Sequence, residues 1–231
     1  MQKLPTIDEM LKAGMHFGHR TSKWHPKMEP FIFTSRNGVH IIDLIKSQKM
    51  LGQALDFIRK FSEEKKIILF VGTKMQAKKP LKALAKETSM PYIVEKWMGG
   101  TLTNFSVIKK MIKKYNDLQV DKKSGQLGKY TKKERLDFDR TISKLELKVG
   151  GLTDLNRLPD AIFVWDIKQE RTAITEAKKK NIPIIGVCDT NVNPTGINYV
   201  IPANDDATKT IKLILGLVQG AILAGQKEAN K

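Results

Sequence analysis

The chain has 231 residues, with 41 Lys and Arg against 24 Asp and Glu, a net charge of +17. That length buries a sizeable core without disulfide staples, and the single cysteine, Cys188, excludes an internal bridge. The cation excess points to phosphate backbones or an anionic membrane, while 7% aromatic residues argues against a binder built on base stacking. No signal-like stretch opens the chain, so a cytosolic compartment is expected.

In chain order, the first informative segment is "HFGHRTSKWHPKM", residues 16–28, which carries three of the four histidines among Arg20, Lys23 and Lys27. Pro26 and Pro30 oppose a continuous helix here, which predicts an extended arm shaped by its contacts. Phe17 is expected to pack on the core. The first strand is read in "GVHIIDL" from Gly38, with Arg36 and Asn37 in the turn before it. Further strands follow at "KIILFVGT" (from Lys66), "YIVE" (from Tyr92), "AIFVWD" (from Ala161), "IPIIGVCDT" (from Ile182) and "NYVIP" (from Asn198). Segments of helical period lie between them, at Lys46 to Phe61, Gln76 to Thr88, Gln169 to Lys180 and Asp206 to Ala224. Strands apolar on both faces, alternating with helices, indicate a parallel sheet covered on both sides. The expectation is an α/β three-layer sandwich with a mostly parallel sheet. The apolar stretch from Ile211 is interrupted by Lys212, Gln219 and glycines, and reads as too short to cross a bilayer.

One region breaks the rhythm. Between Asn104 and Val149 no strand is legible, but Ile108, Met111, Ile112, Tyr115 and Leu118 share one helical face, and Phe138, Ile142, Leu145 and Val149 share another. "DKKSGQLGK" supplies a turn between them, so an antiparallel coiled-coil hairpin is expected. Residues 104–150 hold 13 Lys and Arg against 6 acidic residues, carried mostly outward.

The residues give little support to catalysis. "FVGTKMQAKKP" places Gly72 and Lys74 between a strand and a helix, yet lacks the several glycines that wrap a nucleotide phosphate. The turn can still hold one phosphate of a polymer, with Lys74 beside it. His16 or His19 can meet Asp189 or Asp205 at one rim of such a sheet, either as a metal site or as packed, hydrogen-bonded imidazoles. Cysteine ligands for a zinc finger are missing, and Cys188 reads as a core filler. Asp205 and Asp206 suit a helix cap.

Together, "AGMHFGHRTSKWHPKMEPFIFTSRNGVHIIDL", "FVGTKMQA", "KWMGGTLTNF", "LPDAIFVWD" and "NIPIIGVCDTNVNPTGINYVIPANDDATKTI" resemble, in order, segments of the bacterial small-subunit ribosomal protein S-two family, from about Met10 to about Gly225. The resemblance implies a Rossmann-like or flavodoxin-like sandwich, residues 1–103 with 150–231, carrying a coiled-coil hairpin at 104–149. It implies a non-enzymatic constituent of the ribosome, a monomer within it and without cofactor. Its implied partners are small-subunit ribosomal RNA, neighbouring ribosomal proteins and the mRNA-binding protein S-one. The C-terminal "GQKEANK" is short beside the long tails of some relatives, so no role of a tail is carried over.

Backbone and shape contacts to folded RNA then fall to dispersed cations. The candidates are Arg20, Lys23, Lys27, Arg36, Lys74, Lys96, Lys109, Lys110, Lys113, Lys132 and Lys133. Trp24 can stack, Gly99 and Gly100 allow close approach, and Thr103 and Asn104 either donate to a phosphate or cap the first hairpin helix, the latter expected for Asn104. Two other readings stand beside this one: an α/β phosphate-ligand enzyme using His16, His19 and Asp189, and a scaffold whose hairpin docks another helix.

Overall fold

The computed structural model describes residues 3–230. Helix α1 (Ile7–Lys12) opens with a capping box in which Thr6 and Glu9 accept each other's backbone amides. Strands β1 (Phe17–Arg20), β2 (Ile32–Arg36) and β3 (Val39–Ile42) form an antiparallel sheet of their own, in the order β1-β3-β2. Asn37 and Gly38, at φ 51° and 73°, make the two-residue turn between β2 and β3, as an Asn-Gly pair does when strand twist demands left-handed residues.

Two expectations are corrected here. The strand from Gly38 belongs to this small sheet and not to the parallel one. Residues 16–28 are not an extended arm either: β1 is followed by short 3-10 turns at Thr21–Lys23 and Pro26–Phe31. A proline at the first position of a helical turn has no amide to lose, so Pro26 starts a turn where it was expected to prevent one. The His25 ring accepts the Lys27 amide at 3.2 Å and completes that start.

The main body comprises α2 (Leu44–Glu63), β4 (Ile68–Val71), α3 (Met75–Glu87), β5 (Tyr92–Ile93), α4 (Phe105–Lys123), α5 (Lys132–Val149), β6 (Ala161–Trp165), α6 (Arg171–Lys179), β7 (Ile184–Cys188), β8 (Tyr199–Pro202) and α7 (Thr208–Glu228). The four predicted sandwich helices appear within a few residues of their expected bounds. Strands β4 to β8 form one parallel sheet in the order β5-β4-β6-β7-β8, which in chain order is 2-1-3-4-5, the flavodoxin-like arrangement.

Alternation along the strands builds two cores, because successive side chains leave a strand on opposite faces. Ile68, Phe70, Phe163, Trp165, Ile185 and Ile201 pack under α2, α3 and α7. Their neighbours Leu69, Val71, Ile162, Val164, Ile184 and Cys188 pack under α6 and the inner faces of α4 and α5. Cys188 is fully buried, as a core filler should be, and burial pushes its thiol pKa up.

At 21 residues α7 is long enough and apolar enough to cross a bilayer, so the argument from length does not hold. Its apolarity has another cause. Ile211, Ile214, Val218 and Ile222 are buried against the sandwich, and a Cβ on Gly225 would stand 2.3 Å from the Arg59 carbonyl oxygen, so α2 and α7 touch backbone to backbone.

Helices α4 and α5 pack on one another through Ile108, Ile112, Tyr115, Ile142, Leu145 and Val149. Lys122 pairs with Asp139 at 2.7 Å near the turn, and Asn116 donates to the Thr153 carbonyl at 3.3 Å nearer the sandwich, so the two helices run antiparallel. Gly125, at φ 75°, breaks α4, and a second capping box between Thr131 and Glu134 starts α5.

Candidate nucleic-acid interface

In a parallel sheet of this order, ligands lie outside the carboxyl ends of the strands where the order reverses, here between β4 and β6. That crevice is filled from within. Lys74, the first residue beyond the β4 turn, places its ammonium 2.6 Å from Asp205, 2.7 Å from Asp206 and 3.5 Å from Asp166. Burial by itself would lower the Lys74 pKa, but Asp205, Asp206 and Asp166 outweigh it and raise it. Asp205 is pushed up to about 7 by burial and by Asp189 and Asp166 nearby. Beside them the Thr73 amide and hydroxyl both donate to Glu170, at 2.8 and 2.6 Å, and Gln169 donates to the Thr73 hydroxyl at 2.8 Å.

This geometry corrects the reading of Lys74 as a phosphate ligand. Its side chain is 14% exposed and its charge is spent on three carboxylates, so the turn after β4 faces a polyanion with net negative charge. The caps also differ from expectation. Asn204, not Asp205 or Asp206, accepts the amides of Asp206 and Ala207 ahead of α7. Asn104 stands at the N-cap of α4 without a side-chain cap bond, and accepts from the Ser106 hydroxyl instead.

Of the two histidines, only His19 joins the rim. Its Nδ1 lies 3.1 Å from Asp189 and its Nε2 3.8 Å from Asp206, while its backbone amide donates to the Thr190 hydroxyl at 2.8 Å. His16 instead rests on the Phe17 ring at 4.0 Å, with Nδ1 buried and burial lowering its pKa. Phe17 is 49% exposed and does not pack in the core; Met15 and Met28 take the buried places on either side. Among the described residues no group of three or more His, Cys, Asp or Glu side chains is arranged to hold a metal ion.

The loop "KWMGGTLTNF" is organised by a residue that sequence reasoning missed. Glu176 of α6 is 6% exposed and accepts five hydrogen bonds. One carboxylate oxygen takes the Trp97 indole N–H at 3.0 Å and the Gly100 amide at 2.8 Å; the other takes the Leu102 amide at 2.9 Å and the Thr103 amide and hydroxyl at 3.1 Å. Burial would raise its pKa, but these donors outweigh that and hold it below the usual range. The entry to α4 is thereby tied to α6. Thr103 is spent on this carboxylate. The only sequence signal was a glutamate on the apolar face of a predicted helix.

The remaining predicted cations are turned outward. Arg20, Lys23, Lys27, Arg36, Lys96, Lys109, Lys110, Lys113, Lys132 and Lys133 are all exposed. None of them takes part in an ion pair among the described residues. Lys27 reaches the Thr195 hydroxyl at 3.0 Å, and Trp24 is half-buried with its ring 5.2 Å from that of His40.

A family model described as Ribosomal protein S2 matches residues 10–225, nearly the whole chain. The chain belongs to the ribosomal protein S2 family. Membership makes it a structural protein of the small ribosomal subunit with a role in translation, associated with that subunit's RNA and proteins. The family is one of structural ribosomal proteins and not of enzymes.

Two outcomes follow from these ties. Glu176→Ala leaves buried donors without an acceptor and is expected to lower stability by about 3–5 kcal/mol, with Glu176→Gln milder at about 1–3 kcal/mol. Urea unfolding measures both, and equal stability of all three proteins would contradict the role given to Glu176. For His19, the hydrogen bond to Asp189 raises its pKa against the pull of burial. A raised folded-state pKa contributes stability that is complete below the unfolded value of about 6.5 and is lost as pH rises through the folded value. The stability gap between the natural protein and His19→Gln should therefore be wider at about pH 5.5 than at about pH 8.5. Asp205 also acts on the His19 charge, so the gap reports on His19 together with the aspartates it faces; a gap independent of pH would remove the assignment.

Proposed function

We propose that this S2-family protein holds small-subunit ribosomal RNA by backbone and shape, and that it helps anchor the mRNA-binding protein S-one. In this reading residues 104–149 act as an inserted basic hairpin, and residues 1–103 with 150–231 as the sandwich that carries it. The observation that carries the proposal is the separation of the cations into two kinds. Lys74 is internal and neutralised, whereas Arg20, Lys23, Lys27, Arg36 and Lys96, with Lys109, Lys110, Lys113, Lys132 and Lys133 of the two helices, are exposed and take part in no ion pair among the described residues. Charges of the second kind are available to displace counterions from phosphates, and their spread over β1, the β2–β3 turn and both hairpin helices suits a folded target better than a single groove.

Rigidity supports the same reading. Lys23 and Lys27 lie in a segment held by the His25 amide on the Thr190 carbonyl at 2.8 Å and by His19 on Asp189. The hairpin lysines are carried on helices whose entry is tied down by Glu176. Cations held at set distances lose less side-chain and loop entropy on binding than cations on a mobile tail. The protein is expected to act as a single copy in the ribosome, without catalysis or cofactor. The anchoring of S-one is drawn from the family alone.

Replacing Lys23 and Lys27 together with Glu is expected to reduce incorporation into small subunits severalfold while leaving the circular dichroism spectrum unchanged; normal occupancy in gradient-purified particles would sink the assignment. Affinity for the RNA should also fall by about a thousandfold or more between 50 and 200 mM salt if six or more phosphates are contacted. Filter binding across that range measures the slope, and a flat response would exclude backbone recognition.

A further inference from the structure

Thr190, which follows Asp189 beyond the carboxyl end of β7, is fully buried and holds the N-terminal segment at two points. Its hydroxyl accepts the His19 amide at 2.8 Å, and its carbonyl accepts the His25 amide at 2.8 Å. The hydroxyl proton is committed elsewhere: it donates to Asp189 Oδ1 at 3.1 Å, the oxygen that also faces His19 Nδ1 at 3.1 Å. A hydroxyl oriented in this way presents a lone pair to the His19 amide. Steric fit adds to the bonds. A Cβ on Gly18 would stand 2.6 Å from the Thr190 methyl carbon and 2.7 Å from its hydroxyl oxygen, too close for packed atoms, so glycine is what lets β1 lie against this residue.

The two bonds bracket Arg20 and Lys23, which are exposed. Between the brackets the Thr21 amide donates to the Gly38 carbonyl at 2.9 Å, which ties the same segment to the β2–β3 turn. Lys27 lies beyond the second bracket and has supports of its own, through the His25 ring and the Thr195 hydroxyl. Arg20 and Lys23 thus take their place on the surface from Thr190, whereas Lys27 is held by further groups. His19 keeps its contact with Asp189 when the Thr190 hydroxyl is removed, so loss of that hydroxyl is expected to shift the segment without detaching it.

We propose that Thr190 is a positioning residue for RNA binding, which sets Arg20 and Lys23 at the spacing where each meets a phosphate. The inference rests on the backbone reading above. It adds that the fit of the β1 surface is fixed by a buried hydroxyl at the end of β7, which acts only through the segment it clamps. A small displacement suffices, because a charge-assisted contact weakens steeply once its donor leaves hydrogen-bonding distance. Cations elsewhere on the protein still attract RNA, so the loss falls on the contacts of this surface.

The test titrates labelled full-length protein against small subunits stripped of it, over a range of salt concentrations. Thr190→Val keeps the shape and removes the hydroxyl, and Gly18→Ala keeps the hydroxyl and adds the clash. Each is expected to weaken binding about tenfold. The slope of log affinity against log salt should become shallower by about one to two in both. Thr190→Ser retains the hydroxyl and should bind as the natural protein does. In the Thr190→Val background, Arg20→Gln with Lys23→Gln should add little further loss, while Lys109→Gln with Lys110→Gln on α4 should cost as much as in the natural protein. Natural affinity in Thr190→Val overturns the proposal. So does weakened binding with an unchanged salt slope and the full further loss from Arg20→Gln with Lys23→Gln, the pattern of a residue that only stabilises the fold. Gly18→Ala carries the same comparisons if Thr190→Val does not fold. Should Arg20→Gln with Lys23→Gln leave the natural protein's binding unchanged, the backbone reading fails at β1 and the proposal with it. Weakening by that pair, with natural affinity in Thr190→Val, refutes the positioning role alone.

Discussion

The ammonium of Lys74 sits where the parallel strands reverse their order, and the carboxyl rim of the sheet is arranged around it. Four aspartates gather at this rim: Asp166 after β6, Asp189 after β7, and Asp205 and Asp206 after β8. Ionised carboxylates cannot crowd a half-buried edge unless something positive stands among them. Lys74 meets three of the four directly, and His19 meets Asp189 and Asp206 from the other side. In many proteins with this sheet order the same crevice is left open for a phosphate. Here it is closed by an internal ion network, which turns a ligand site into a joint.

What the joint fastens is the small antiparallel sheet and the segment behind it. Its ties to the sandwich are polar and short: Gly18 lies against Thr190, the Asn204 amide donates to the Met15 carbonyl at 3.1 Å, and the Thr210 hydroxyl donates to the Ala13 carbonyl at 2.9 Å. Met10, Met15 and Met28 add an apolar anchor by filling both cores from the same segment. The result is a basic N-terminal surface held on a rigid support. Glu176 does the equivalent for the hairpin, with five hydrogen bonds instead of an ion pair. One buried carboxylate thus sets the position of α4 relative to α6, and with it the placing of the hairpin lysines.

Buried charge in this molecule serves placement, while exposed charge is left for a partner. An ion network that excludes ligand and a set of outward lysines that invites a polyanion are two outcomes of the same composition. The net charge of +17 by itself does not separate them. The separation depends on which lysine reaches the aspartates at the rim, and Lys74 meets three of them.

The class of fold was legible in the sequence because apolar strands alternating with helical periods leave few other ways to bury both faces of a sheet. Two helices between Asn104 and Val149 were legible from their apolar stripes, which pack on one another and join the core under the sheet. The family resemblance in the motifs was legible too, and it agrees with the match over residues 10–225. The turn at Arg36 and Asn37 was legible, but the strand before it was not, and with it the separate sheet of β1, β2 and β3. The fate of Lys74, Thr103, Asn104 and Glu176 was not legible, because each is decided by groups distant in the chain: Asp205 lies 131 residues from Lys74, and Glu176 lies 73 residues from Thr103. Sequence alone thus determined the layers, the basic character and the family, which are set by local period and composition. Tertiary structure alone decided which cations are spent inside and which remain outside, because ion pairing depends on distances that exist only after the strands are laid side by side.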